Sequence, residues 1–160
     1  MTDYSLDLDI GAENVPQTSD DYYTPPWVFE GLGLKFNTDP AQPIGGIPWI
    51  PVDKYYTILD DGLAQPWEGR VWMNPPFSNS TPWARKFAAH NNGVCLMPTA
   101  KAKWFDEMWD AADAIMPLPS RMEFVTSNGD YKGIFMPTVF FAFGEENVEG
   151  LKRLGIARVR

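Results

Sequence analysis

Between Gly69 and Met97 the chain alternates structure makers and breakers in an order that admits few folds. Gly69-Arg70-Val71-Trp72-Met73 reads as a short strand, and Asn74-Pro75-Pro76-Phe77 stops it, because a proline has no N–H to give to a ladder. Ser80, Thr81 and Pro82 open a helix through Trp83 to His90. Asn91-Asn92-Gly93 closes it, since asparagine and glycine tolerate the left-handed backbone of a C-cap. Val94-Cys95-Leu96-Met97 is then an unbroken apolar run, which suits a strand buried on both faces of a helix-covered parallel sheet.

The flanking segments extend this unit. Thr24-Pro25-Pro26 precedes apolar residues at helical spacing, with Thr24 as a hydroxyl cap and Gly31 and Gly33 as the stop. A strand over residues 34–38 should end at Asp39, and the proline- and glycine-rich stretch from Ala41 to Pro51 is a structured loop. A second helix is expected over residues 102–114. Residues 121–126 and 132–143 read as two strands joined by a hairpin at Asn128-Gly129, and residues 145–154 as a short helix. The fold class expected is α/β, with a mostly parallel sheet and a C-terminal antiparallel hairpin.

Composition removes several functions. At 160 residues the chain has room for one domain, read here as residues 21–160 behind a flexible acidic arm over residues 1–20. One cysteine and one histidine exclude a disulfide scaffold and a Cys/His metal site, so no metal is expected. No apolar run is long enough to span a membrane and no signal peptide is evident, so a cytoplasmic protein with no membrane partner is expected. The net charge of -8 argues at first against nucleic acid, but seven acidic side chains and no Lys or Arg fall within residues 1–34. Residues 70–105 hold Arg70, Arg85, Lys86, Lys101 and Lys103 and no acidic side chain, which offers a local positive face for phosphates.

Asn74 to Phe77 is the segment with chemical content. At the carboxyl end of a parallel strand it presents a carboxamide, a rigid carbonyl and an aromatic face. Those groups suit a planar exocyclic amine, whose lone pair is delocalised into its ring. Hydrogen bonds to the Asn74 oxygen and the Pro75 carbonyl would favour a more tetrahedral nitrogen, with Phe77 stacked on the ring. A base in a duplex would have to be flipped out to reach them.

Here the sequence resembles the amino-methyltransferases whose motif is Asp, Asn or Ser followed by Pro-Pro and an aromatic residue. More narrowly it is similar to the phage DNA N-6-adenine methyltransferase family, from about Tyr22 to Phe143. The resemblance implies a compact, abbreviated Rossmann-like methyltransferase that uses S-adenosyl-L-methionine, releases S-adenosyl-L-homocysteine, and methylates adenine in DNA at a specific site in a bacterial or phage-infected cell. It implies catalytic roles for Asn74, Pro75, Pro76 and Phe77. It places Tyr23, Thr24 and Pro25, the strand-end Asp39 and the Asp61 of Asp61-Gly62-Leu63 at the cofactor. Asp53 and Asp60 are further options for the ribose hydroxyls. Only 22 positions separate Asp39 from Asp61, little space for both a helix and a strand, so the cofactor half should be shortened. Ser78, Arg85, Lys86, Lys101 and Lys103 are the expected DNA contacts, and a homodimer is one way for so small a domain to grip a duplex. Cytosine N4, an RNA base or a glutamine amide presents a similar nitrogen, and an inactive DNA- or partner-binding relative is a separate reading.

Overall fold

The central strands bury side chains on both faces, and that requirement sets the architecture. The computed structural model describes residues 22–134 and 136–160, so the expected acidic arm lies outside the described residues. The elements run α1 (Pro26–Leu32), β1 (Phe36–Asp39), β2 (Val52–Tyr55), β3 (Val71–Met73), α2 (Ser80–His90), β4 (Gly93–Pro98) and α3 (Lys103–Ala111). They continue with β5 (Ala114–Pro117), β6 (Glu123–Val125), β7 (Tyr131–Gly133), β8 (Thr138–Phe143) and α4 (Glu145–Leu154). Six strands form one sheet in the order β2-β1-β3-β4-β8-β5, while β6 and β7 form a separate hairpin. β2, β1, β3 and β4 are parallel, and β8 runs against both its neighbours. Among the described residues no helix is long and apolar enough to cross a membrane.

Period-two alternation along each strand sorts the core into two layers. Trp72, Val94, Leu96, Met116 and Phe140 pack with α1 and α4 on one face, and Val71, Met73, Cys95, Met97 and Phe141 pack with α2 and α3 on the other. Trp72 is the hub of the first layer. Its ring meets Phe29, Phe36 and Phe140 edge-to-face at 4.8, 6.0 and 5.9 Å.

The strand, loop, helix, strand unit expected from residue 69 to 97 is β3, the proline motif, α2 and β4. Four other expectations are corrected. α1 begins at Pro26 with no side-chain cap, so Thr24 is not a cap; it is buried instead. The helix runs through Gly31, which lets α4 close in, since a Cβ there would lie 2.5 Å from Leu154 Cδ1. The helix expected over residues 102–114 ends at Ala111, and residues 114–117 form β5, held by β8 on one side. Its other side exchanges 2.9 Å backbone bonds between Ile115 and Arg160. The strand expected over residues 132–143 is split: β7 returns along β6, and β8 enters the main sheet between β4 and β5. The short interval after β1 holds a strand, β2, and no helix, which is how the 22 positions suffice.

Truncating the hub of the first layer tests this packing. Trp72→Ala should cost about 3–5 kcal/mol in urea denaturation, the range for buried aromatic truncation. A loss below about 1 kcal/mol contradicts the assignment of Trp72 as the hub.

Candidate active site

From β1 the chain crosses to β2 on one side, and from β3 it crosses to β4 on the other. The carboxyl ends of β1 and β3 therefore flank a topological switch point, the usual ligand crevice of an open α/β sheet. A cavity of about 390 Å³ opens there. Its walls are the turn over residues 40–43, Ile58, Asp61 and Gly62, Asn74 and Pro76, and Trp83 of α2. Small-molecule sites span about 300–1,000 Å³, so the cavity suits a ligand of nucleoside size.

Asn74 is held from behind. Its Nδ2 donates to the Tyr22 carbonyl at 3.1 Å. A carbonyl only accepts, so the amide nitrogen must face Tyr22 and Oδ1 remains the acceptor end. The Tyr22 segment is fixed in turn: Tyr23 and Val125 of β6 exchange backbone bonds of 2.7 and 2.9 Å, and Trp49 Nε1 donates to the Thr24 carbonyl at 2.9 Å. Pro75 is buried, Pro76 lines the cavity, and Phe77 opens a one-turn 3₁₀ helix while packing partly against the α1 and α4 layer.

Asp39 is fully buried at the end of β1 and accepts the Ala41 N–H at 3.0 Å. Burial pushes its carboxyl up to about 7, outweighing the Ala41 amide, which favours the charged form. A small cavity of about 20 Å³ joins Asp39, Thr24, Trp72 and Asn74, room for about one water. Thr24 Oγ1, Trp72 Nε1 and Gln42 Nε2 are buried without a hydrogen-bond partner among the described residues. Thr24 and Trp72 line the small cavity and Gln42 the larger one, so a water could satisfy the first two and a polar ligand the third.

Asp61 reaches the cavity mouth from a left-handed backbone, φ 57°, unusual for a residue with a side chain. Gly62 follows directly against β1: a Cβ there would lie 2.0 Å from the Pro40 carbonyl oxygen, so only glycine fits.

The expected residues distribute unevenly. Asn74, Pro76 and Asp61 share the large cavity; Asn74, Tyr23, Thr24 and Asp39 border the small one; Pro25, Pro75 and Phe77 line neither. Asp53 lies on β2 and accepts from Asn37 at 3.0 Å, while Asp60 accepts the Thr57 N–H at 2.8 Å, and neither lines the cavity. Ser78 is exposed behind the motif, and Lys101 and Lys103 are exposed beyond β4 with no ion pair among the described residues. Arg85 pairs with Glu107 at 3.0 Å, and Lys86 donates to the carbonyls of Leu63 and Gln65. Arg70 stands at the amino end of β3, bound to Asn147 and Glu146, on the far edge of the sheet from Asn74. The positive face expected over residues 70–105 is therefore narrower than its composition. The wall residues Gln42, Ile58 and Trp83 escaped the sequence reading: each looks locally like a loop or helix-core residue, and only the fold turns it toward the cavity.

Comparison with known proteins gives the chain's family. The model of a family described as DNA N-6-adenine-methyltransferase (Dam) matches residues 12–141. A DNA N-6-adenine-methyltransferase of Haemophilus phage HP1 (strain HP1c1) is 28% identical over 116 residues. The match covers 65% of this chain and 65% of the length of that relative.

The buried carboxyl makes a pH test available. Asp39 titrates near 7 in the fold against an ordinary 3.8 for an aspartate in water, so between those values the folded state binds the proton more tightly. Its contribution to stability therefore falls as pH rises from about 4 to about 7 and changes little beyond. Asp39→Asn should flatten that slope in thermal denaturation of the ligand-free protein, leaving the variant more stable than the parent at about pH 8. Equal slopes in the two proteins contradict a carboxyl that is half protonated near neutrality.

Proposed function

The chain belongs to the DNA N-6-adenine-methyltransferase family, and from that membership we propose that it transfers a methyl group from S-adenosylmethionine to the exocyclic amine of adenine in DNA. The observation that carries the reading is Asn74, anchored by its amide nitrogen on the Tyr22 carbonyl at the edge of a nucleoside-sized cavity.

The residues present fit the methyl donor. The cavity has the volume, Gln42 Nε2 supplies an unmet buried donor, and Asp61 supplies a carboxylate at the mouth. Ile58, Asp61 and Gly62 would hold the adenosine portion, and the turn over residues 40–43 the amino-acid portion. When bound, the donor supplies an electrophilic methyl group on a sulfonium. The protein's part is then to position the amine and support the charge it gains.

Asn74 Oδ1 accepts one amine N–H and the Pro75 carbonyl the other, which draws the nitrogen lone pair out of the ring. Phe77, half-buried directly after the motif's prolines, is the proposed stacking surface for the base, which has left the duplex to reach the site. With the donor bound, the amine nitrogen held by Asn74 and Pro75 would take the methyl group from the sulfonium, and its surplus proton would leave to water. Lys101, Lys103 and Ser78, exposed near the motif's edge of the sheet, are the proposed backbone contacts to DNA, with Arg85 on the flank of α2.

Incubation with methyl-labelled S-adenosylmethionine and unmethylated DNA, followed by digestion to nucleosides, tests the reaction. Label in N6-methyladenosine is expected. Label on another base or on protein redirects the substrate, and absence of both label and cofactor binding overturns the reading. Asn74→Ala should lower turnover by about 10²-fold or more while cofactor affinity stays within about threefold, as for loss of a group that acts on the developing charge. Near-normal turnover in that variant contradicts the role of Asn74.

A further inference from the structure

We infer that Lys86 is a positioning residue for the methyl-donor site, its ammonium bracing the turn that forms the cavity wall at Asp61 and Gly62. The inference rests on the function proposed above. Its sequence neighbourhood suggests a phosphate contact, but the geometry points inward. Lys86 rises from the middle of α2, half-buried, and its Nζ donates to the Leu63 carbonyl at 2.7 Å and to the Gln65 carbonyl at 2.7 Å. The same nitrogen lies 4.9 Å from the centre of the Trp67 ring. Two carbonyl dipoles and an aromatic face thus surround one cation.

What Lys86 grips is a turn with little stability of its own. Gly62–Ala64 is a single 3₁₀ turn, too short to sustain itself, and it begins from the unusual backbone of Asp61. The turn is braced at three points. Lys86 holds its exit, and the Trp67 indole N–H donates to the Gly62 carbonyl at 2.8 Å. The third brace is the Pro40 carbonyl, against which Gly62 fits without room for a Cβ. Trp67 also stacks on Trp83 at 6.4 Å and 19°, and Trp83 is itself a cavity wall. Lys86, Trp67, Trp83 and Gly62 therefore form one unit that links α2 to the donor site. A phosphate role would require Nζ to abandon both carbonyls and the ring. Without the ammonium, the turn is free to relax and Asp61 and Gly62 lose their fixed places. The cost falls on donor binding and not on the charge presented to DNA.

The test uses the full chain and S-adenosylhomocysteine as the titrant. Lys86→Met keeps the aliphatic stem over Trp67 and removes the donors. It should weaken the calorimetric Kd by about tenfold, as expected for lost charge-assisted hydrogen bonds. KM for the donor should rise in parallel while kcat at saturating donor stays within about twofold, the pattern of lost uniform binding. Lys86→Arg, which keeps a cationic donor, should recover part of the affinity. The salt dependence of DNA binding, measured with S-adenosylhomocysteine saturating, should keep its slope. Unchanged donor affinity in Lys86→Met overturns the inference. So does a salt slope shallower by about one unit, the signature of a lost phosphate contact. If Lys86→Met does not fold, Trp67→Phe carries the test: it keeps a ring and removes the N–H to Gly62, so it too must weaken the donor Kd, and unchanged affinity overturns the inference. A wild-type protein that binds no S-adenosylhomocysteine overturns the proposed function and this inference together. A wild type that binds, with variants that bind equally, overturns the inference alone.

Discussion

A strand that must stop between two buried neighbours organises this molecule. β3 has β1 on one side and β4 on the other, and its three residues are buried on both faces. Continuing the ladder would require N–H groups that Pro75 and Pro76 lack, so the backbone must leave the sheet immediately after Met73. Asn74 is the residue at which it leaves. The crevice beside it exists because β1 and β3 connect in opposite directions, and the side chain is aimed because its amide nitrogen is tied to Tyr22. That tie depends on the β6 and β7 hairpin, which pairs with Tyr23. A hairpin outside the main sheet thus helps hold the central side chain of the proposed chemistry.

Economy of chain length shapes the proposed donor side of the crevice. With no helix between β1 and β2, no helical N-terminus stands behind the turn over residues 40–43. The fold substitutes close backbone contact, Gly62 against Pro40, and side-chain braces from α2 through Lys86 and Trp67. Three of the five basic residues between Arg70 and Phe105 are engaged within the protein. Their engagement explains how a stretch without acidic side chains presents fewer free cations than its composition suggests. Local charge becomes a binding surface only where tertiary partners leave it free.

The parts that were legible in the sequence are those whose signal is local. Two prolines end a strand anywhere, Asn-Asn-Gly closes a helix anywhere, and Val94 to Met97 has no polar side to expose. The resemblance carried by Asn74 to Phe77 and Asp61 to Leu63 likewise lies in contiguous residues, and the family match agrees with it. β2 and β5 were not legible, because each is four residues long and acquires its identity from the strand beside it. The same holds for the hydrogen-bond partners of Arg70, Arg85 and Lys86, which lie at least 21 positions away in the chain. Trp83 reads as helix core, which it is; that its ring also faces a cavity depends on Trp67 stacking beside it.

The account stands on the amine and the donor meeting at Asn74. A crystal structure with S-adenosylhomocysteine and a DNA carrying an unpaired adenine tests this most directly. The account predicts the cofactor purine against Ile58 and Gly62, with the target amine nitrogen about 3 Å from Asn74 Oδ1. A cofactor bound outside the cavity between β1 and β3, or a target amine beyond hydrogen-bonding reach of Asn74, would contradict it.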